Sequence, residues 1–376
     1  MCILFGVSRA QRVRHLLPFS KQYRPQLAWS LVEFLLAWGG AAIGVGQLGT
    51  GNWLVPGLAE GPALLVVAAT LAVALAALRL AVSIARARLA ERTARRAYAL
   101  YQAGQVDKAD TLVERALARY PRHLRLLMAK IAILTNQRRV EDALAVVQRA
   151  TKVAPNSLPV MQLQGILLFG LGKYARALSP LNRVLARTPD DQVAWRYKIL
   201  SLERLGRSDE ALTSCERALA RLPDVAELWA LKGVVLLGRE RLAEALGACE
   251  CALQLDASLA WAWNNKASAL NNLQRHEEAL TAIDEAPRLS PRSPSAWLNM
   301  AEVLTAQQQS EEAHAAAEQS LAVLDEEWSR RAQTAAKWVD GWTESDEWQV
   351  RAGALRLLGR EAEAAEAATR VQELRA

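Results

Sequence analysis

The sequence predicts an all-α protein in two parts, an N-terminal two-helix transmembrane hairpin followed by an α-solenoid of about eight helix-turn-helix repeats. Three observations predict it. Two apolar runs lie within the first 85 residues, each near the roughly 20 residues that a helix needs to cross a hydrocarbon core. The basic excess of the chain gathers around those runs. Beyond them, proline, alanine and tryptophan recur at a spacing of 34 residues, which is a repeat architecture's signature. Composition agrees: of 376 residues, 52% are hydrophobic and 23% charged, which excludes a wholly disordered chain. Four cysteines are too few for a disulfide-stapled secreted scaffold.

Taken in order, residues 1–25 form a basic leader, and residues 26–88 hold the hairpin, with spans at about 27–48 and 62–85. Only Glu33 interrupts the first run and only Arg79 the second. A cleaved signal peptide fits the leader, but the run exceeds the roughly 7–15 residues of such a segment, and a second run follows at once. Residues 49–61 are rich in glycine and read as the turn. Arginine and lysine flank both outer ends of the hairpin and are absent from that turn, which places both termini in the cytoplasm. In an antiparallel hairpin Glu33 and Arg79 reach a similar depth, about 9 Å in at 1.5 Å per residue. Either they form a membrane pair or each snorkels separately to the headgroups. Gly40 and Gly44 form a GxxxG that permits close helix approach.

Charge bears on partners. Of the formal net charge of +7, residues 1–89 carry +6 and the rest of the chain +1. A nearly neutral body lacks the basic face that displaces counterions from phosphates, so no nucleic-acid partner is expected.

The repeats begin near residue 90. Pro121, Pro155, Pro189, Pro223 and Pro291 lie in one register, with Ala257 in the missing place. Ala109, Ala143, Ala177, Ala211, Ala245, Ala279 and Ala313 recur without a gap, as do Trp195, Trp229, Trp263 and Trp297. Each unit divides into two amphipathic helices. In residues 260–293, Trp263, Ala267 and Leu270 share one stripe, and Ala279, Ile283 and Ala286 another. One such pair cannot bury its apolar face alone, so neighbours must stack.

These residues resemble the tetratricopeptide repeat family, whose pattern is a large residue at position 4, small at 8, large at 11, alanine at 20, small at 27 and proline at 32. Units starting at Ala90, Leu124, Leu158, Gln192, Ala226, Ala260 and Pro294 meet it and fill residues 89–327. An eighth, capping unit in residues 345–376 restores the phase with Trp348, Ala352, Leu355, Ala364 and Ala368. Residues 328–344 read as an extension of the seventh unit's second helix, ending near Gly341, whose Trp328, Trp338 and Trp342 help to cover the end of the solenoid. The resemblance implies a right-handed superhelix that binds a protein or peptide partner.

It also implies that positions 2, 5, 6, 9, 12 and 13 of each first helix line a concave groove. That places Ile166, Phe169, Leu200, Val234 and Leu237 in an apolar middle, and Trp261, Asn264, Asn265, Asn271, Asn272 and Asn299 in an amide-rich stretch beyond it. Amides pair with the backbone of an extended peptide and an apolar stretch takes its side chains. The family's lysine and asparagine clamp for acidic chaperone tails is missing: Ala94, Tyr98, Met128 and Ala132 stand there.

No phosphate-binding glycine loop, HExxH, GxSxG or metal-spaced CxxC pair occurs, so neither an enzyme nor a cofactor or metal site is expected. Cys215 and Cys249 share one buried position of successive units and, with Cys251, read as structural thiols; acylation of Cys2 stays open. The expected protein is a multi-pass membrane scaffold or adaptor. Its repeats lie on the cytoplasmic side of a bacterial inner membrane, to which it recruits a partner. The alternative is an accessory subunit or assembly factor of a membrane transport or envelope-biogenesis complex.

Overall fold

A computed structural model describes residues 60–137, 139–334 and 344–375. All elements among them are helices: α1 Glu60–Gln102, α2 Val106–Arg119, α3 Leu124–Asn136, α4 Val140–Val153, α5 Leu158–Gly170, α6 Tyr174–Arg187, α7 Gln192–Arg204, α8 Ser208–Leu219, α9 Ala226–Leu237, α10 Leu242–Leu255, α11 Ala260–Asn272, α12 His276–Ile283, α13 Glu285–Leu289, α14 Pro294–Ala306, α15 Ser310–Thr334, α16 Glu344–Leu357 and α17 Glu361–Arg375. The chain divides into two compact units, residues 1–95 and 96–376, and the second holds the solenoid.

In the first unit, the stretch Ala69–Gln102 of α1 is long and apolar enough to cross a membrane by length and composition. Leu71, Leu75, Leu78, Leu80 and Arg79 are all exposed, and burial begins only at Ala90 and Ala94. The helix passes without a break from the expected second span into the first repeat, because residues 86–93 contain neither proline nor glycine to stop it. The expected first span at 27–48, with Glu33, Gly40 and Gly44, and most of the connecting turn lie outside the described residues, so among those described one helix fits a span where two were expected.

In the second unit, from α2 onward each helix packs on the next, and the first helices of neighbouring repeats pack on one another, from α5 through α7, α9, α11 and α14 to α16. The alanine series is the reason they come close: six of its members are fully buried, and Ala313 is 2% exposed. Glycine goes further at two places. A Cβ on Gly165 would meet Leu181 at 2.6 Å, and one on Gly233 would meet Cys249 Sγ at 2.7 Å.

The turn inside each repeat is the same. The N–H of the residue before the second helix donates to the carbonyl of a leucine five residues back, at 2.9–3.0 Å, from Gln105 and Leu100 to Arg360 and Leu355. This is the helix-ending motif that needs one left-handed residue. Gly104, Gly172, Gly206 and Gly359 supply it, whereas Glu240, Gln274 and Gln308 adopt it at φ of 58, 64 and 60°. One second helix is split: α12 stops at Ile283 and α13 begins at Glu285, where Pro287 lacks the N–H that would bond Ile283.

The seventh repeat's second helix, α15, runs on to Thr334. Trp328 on that extension donates from Nε1 to Glu347 Oε2 at 2.8 Å and packs against Trp348, with ring centroids 4.9 Å apart. It lies against the eighth repeat as a covering residue; Trp338, Trp342 and Gly341 are outside the described residues.

Candidate functional site

The tryptophan series shows how the repeats are joined. Trp195, Trp229 and Trp297 each donate from Nε1 to the carbonyl of the proline six residues back, Pro189, Pro223 and Pro291, at 2.7, 2.8 and 2.9 Å. Trp263 does the same to Ala257 at 2.9 Å. The acceptor is a backbone oxygen, which explains why alanine serves where proline is missing.

The candidate groove residues separate into three groups. Ile166, Leu200, Val234 and Leu237 are half-buried and present apolar surface. Phe169 is fully buried, with its ring 5.2 Å from Tyr174 and 5.4 Å from Tyr197, so it belongs to the packed wall and not to the open face. The cause is position: Tyr174 of its own repeat and Tyr197 of the next flank the ring, and this aromatic packing buries it.

Among the amides, Asn271 Oδ1 lies 2.8 Å from His276 Nδ1, which ties the first helix of its repeat to the second. Asn299 Nδ2 donates to Ser268 Oγ at 2.8 Å and links repeats seven and six. Asn272 is exposed, and Trp261 packs at the edge of a cluster with Ala230, Ala252, Leu253 and Ala262. Asn264 Oδ1 and Asn265 Nδ2 are buried from solvent with no hydrogen-bond partner. An orphaned buried amide costs about 1–3 kcal/mol, which a ligand that bonds it recovers.

Charges on the same register were not part of the sequence reading. Glu302, at position 9 of repeat seven, has no ion pair among the described residues, and the surrounding protein raises its pKa by desolvation although water still reaches it. Arg204 of repeat four pairs with Asp346 of repeat eight, 142 residues away. Other ion pairs between helices, such as Lys130 with Glu114, Arg196 with Glu227 and Lys266 with Glu250, stay within a repeat or join neighbours. Both Arg204 and Asp346 occupy groove positions, so the inner faces of repeats four and eight approach each other. Sequence periodicity carries no signal for a contact so remote.

Cys215 and Cys249 are fully buried, and burial pushes both thiols up to about 12, which suppresses the reactive thiolate. Glu33 of the expected membrane pair is outside the described residues, and Arg79 is exposed on α1.

Among solved structures, the chain is similar to a tetratricopeptide repeat protein from Parabacteroides merdae, with 14% identity over 71% of this chain and 98% of that one, at a TM-score of 0.57. MamA (residues 41 to end) from Desulfovibrio magneticus RS-1 matches at 22% identity over 45% of this chain and 95% of its own, at a TM-score of 0.40. The human IFIT1 dimer with m7Gppp-AAAA matches at 14% identity over 76% of this chain and 72% of its own, at 0.49. The first of these likenesses, at 14% identity, is to the fold. No curated protein matches the chain. Family models described as tetratricopeptide repeat match residues 94–157, 163–224 and 198–260, and a second such model matches residues 262–293. Those matches span more than half of the sequence and agree with the helical register, so the chain belongs to the tetratricopeptide repeat family.

Proposed function

We propose that this protein is a membrane-anchored scaffold that holds an extended peptide of a partner protein in its concave groove and so recruits that partner to the bilayer. The supporting observation is the pair of orphaned amides, Asn264 and Asn265, at groove positions of repeat six, with the half-buried apolar residues Leu200 and Val234 at groove positions of repeats four and five. A peptide backbone satisfies both amides once their side chains turn toward the groove, while the peptide's side chains cover the apolar stretch. The exposed apolar face of α1 supports the anchor, and with the apolar run at 27–48 it makes a two-span hairpin with both termini in the cytoplasm. The alanine- and arginine-rich sequence suits a GC-rich bacterial genome and hence an inner membrane.

A photo-crosslinking amino acid at Leu200 of the full chain in its membrane should give one discrete adduct, identified by mass spectrometry. Changing Asn264 and Asn265 to alanine should reduce that adduct about tenfold, as expected for two lost hydrogen bonds. An undiminished adduct would remove the groove from the proposal. Reporters fused at Gly51 and Ala376 test the anchor separately: a cytoplasmic signal at Gly51, or an external one at Ala376, overturns the hairpin.

A further inference from the structure

Repeat four departs from its neighbours at one place away from the groove. Two kinds of cation recur along the solenoid, and in several repeats each has a partner in the same register. Of the lysines at position 7, Lys130 and Lys266 reach back to an acid at position 25 of the preceding repeat, with Lys130 Nζ 2.8 Å from Glu114 Oε1 and Lys266 Nζ 3.2 Å from Glu250 Oε1, while Lys232 has Glu216 in that place without an ion pair to it. Arginines at position 26 donate to the carbonyl of the proline that precedes their repeat: Arg149 to Pro121 at 3.4 Å and Arg183 to Pro155 at 3.2 Å.

Both partners are missing in repeat four. The residue that would face Lys198 is Asn182. The carbonyl that would accept from Arg217 belongs to Pro189; it accepts from the Trp195 indole at 2.7 Å, and Arg217 makes no hydrogen bond to it. Repeats two and three have arginine at that position without the tryptophan, and repeats five and six have the tryptophan with Cys251 and Glu285 in place of the arginine. Repeat four carries both residues, so the arginine is left over.

Both cations stand beside Trp195, Lys198 over its ring and Arg217 in the depression that Trp195 lines. Lys198 Nζ stands 5.1 Å from the centroid of the Trp195 ring. Its pKa is lowered, first by burial and then by the charge of Arg217. Asp190, Trp195, Arg217, Ala220 and Arg221 line an open depression there. Asp190 is paired with Arg221 at 3.1 Å and Glu210 with Arg207 at 2.6 Å; the charge of Glu210 also acts on Lys198, but neither carboxylate forms an ion pair with Lys198 or Arg217.

The geometry points to a second docking site on this protein, in which an acidic peptide segment of a partner places a carboxylate between Lys198 and Arg217 beside Trp195. An ammonium and a planar guanidinium together suit a carboxylate, the guanidinium fixing its orientation. The paired Asp190 and Glu210 that flank the site disfavour a polyphosphate chain, which needs a continuous basic track. This site is separate from the groove and does not depend on the groove being occupied.

The test is fluorescence anisotropy of a labelled hexaglutamate peptide with the full chain in detergent, at two salt concentrations. Lys198→Gln and Arg217→Gln should each weaken binding about tenfold, the usual cost of one charge-assisted hydrogen bond. Lys232→Gln, which alters the corresponding lysine of repeat five, should not. Asn182→Glu should weaken binding as much as Lys198→Gln while keeping both cations, because it restores the partner that Lys266 has in Glu250. Equal affinity of the wild type and all four variants overturns the site, as does an equal loss in Lys232→Gln. A single-stranded oligonucleotide that binds more tightly through the same two residues also overturns it, in favour of a nucleic-acid site.

Discussion

At the scale of single residues, the solenoid joins its repeats through side chains that do two things at once. Trp195 fills space between helices and also satisfies a loop carbonyl; the second role decides what happens to Arg217 on the neighbouring helix. Glu302 shows the opposite case, a carboxylate that surrounding protein desolvates and no cation compensates. Its folded pKa lies above the ordinary value of 4.5, so the native state binds more protons than the unfolded one in the window above that value. Ionisation of Glu302 therefore costs stability at neutral pH, and the cost is relieved as pH falls through the raised pKa toward 4.5. Glu302→Gln should raise the melting temperature slightly at pH 7, by less than about 1 kcal/mol because water screens the group. The gain should shrink toward pH 4.5; a gain that is constant with pH would show that ionisation is not its source.

At the scale of the element, one turn geometry recurs along the solenoid, and in seven repeats a left-handed residue is seen at its centre. Glycine adopts that conformation freely, while other residues pay roughly 1 kcal/mol for it. Gln274→Gly should thus stabilise the repeats by about 0.5–1 kcal/mol in denaturant unfolding, since Gln274 holds φ 64° there. Gly206→Ala should cost a similar amount, because Gly206 sits at φ 69° with nothing near its Cβ, so strain alone acts. The alanine seam and the tryptophan series are the legible part of the fold: each is local chemistry repeated at 34 residues, and repetition exposes it, whereas the left-handed position changes residue type from repeat to repeat. The end of the helix that holds the expected second span was not legible. An apolar run stops at a composition change, but a helix stops only where a residue breaks it, and residues 86–93 offer none.

At the scale of the whole solenoid, Arg204 and Asp346 hold repeats four and eight together across the inner face. A partly exposed ion pair contributes only about 0.2–1 kcal/mol, yet it acts between positions that are far apart along a repetitive and therefore compliant chain. Asp346→Asn should increase the radius of gyration measured by small-angle scattering, and high salt should produce the same expansion in the wild type. A variant as compact as the wild type at low salt would show that helix stacking alone sets the curvature. The candidate groove was legible in outline only. Family position placed Asn264, Asn265, Asn271 and Asn299 among the groove residues, but two of the four turn out to bond within the protein, to His276 and Ser268.

The sequence by itself determined the all-helical repeat architecture, its register and the apolar stretches that suit a membrane, because each follows from periodicity and residue size. Only the tertiary structure decided which polar groups remain unsatisfied. Asn264 and Asn265 are left without partners, Phe169 is taken into the wall, and Lys198 and Arg217 lose the partners that their counterparts keep. Hydrogen-bond competition is settled by distances between neighbouring helices, and a 34-residue pattern holds those positions without saying which donor reaches an acceptor first.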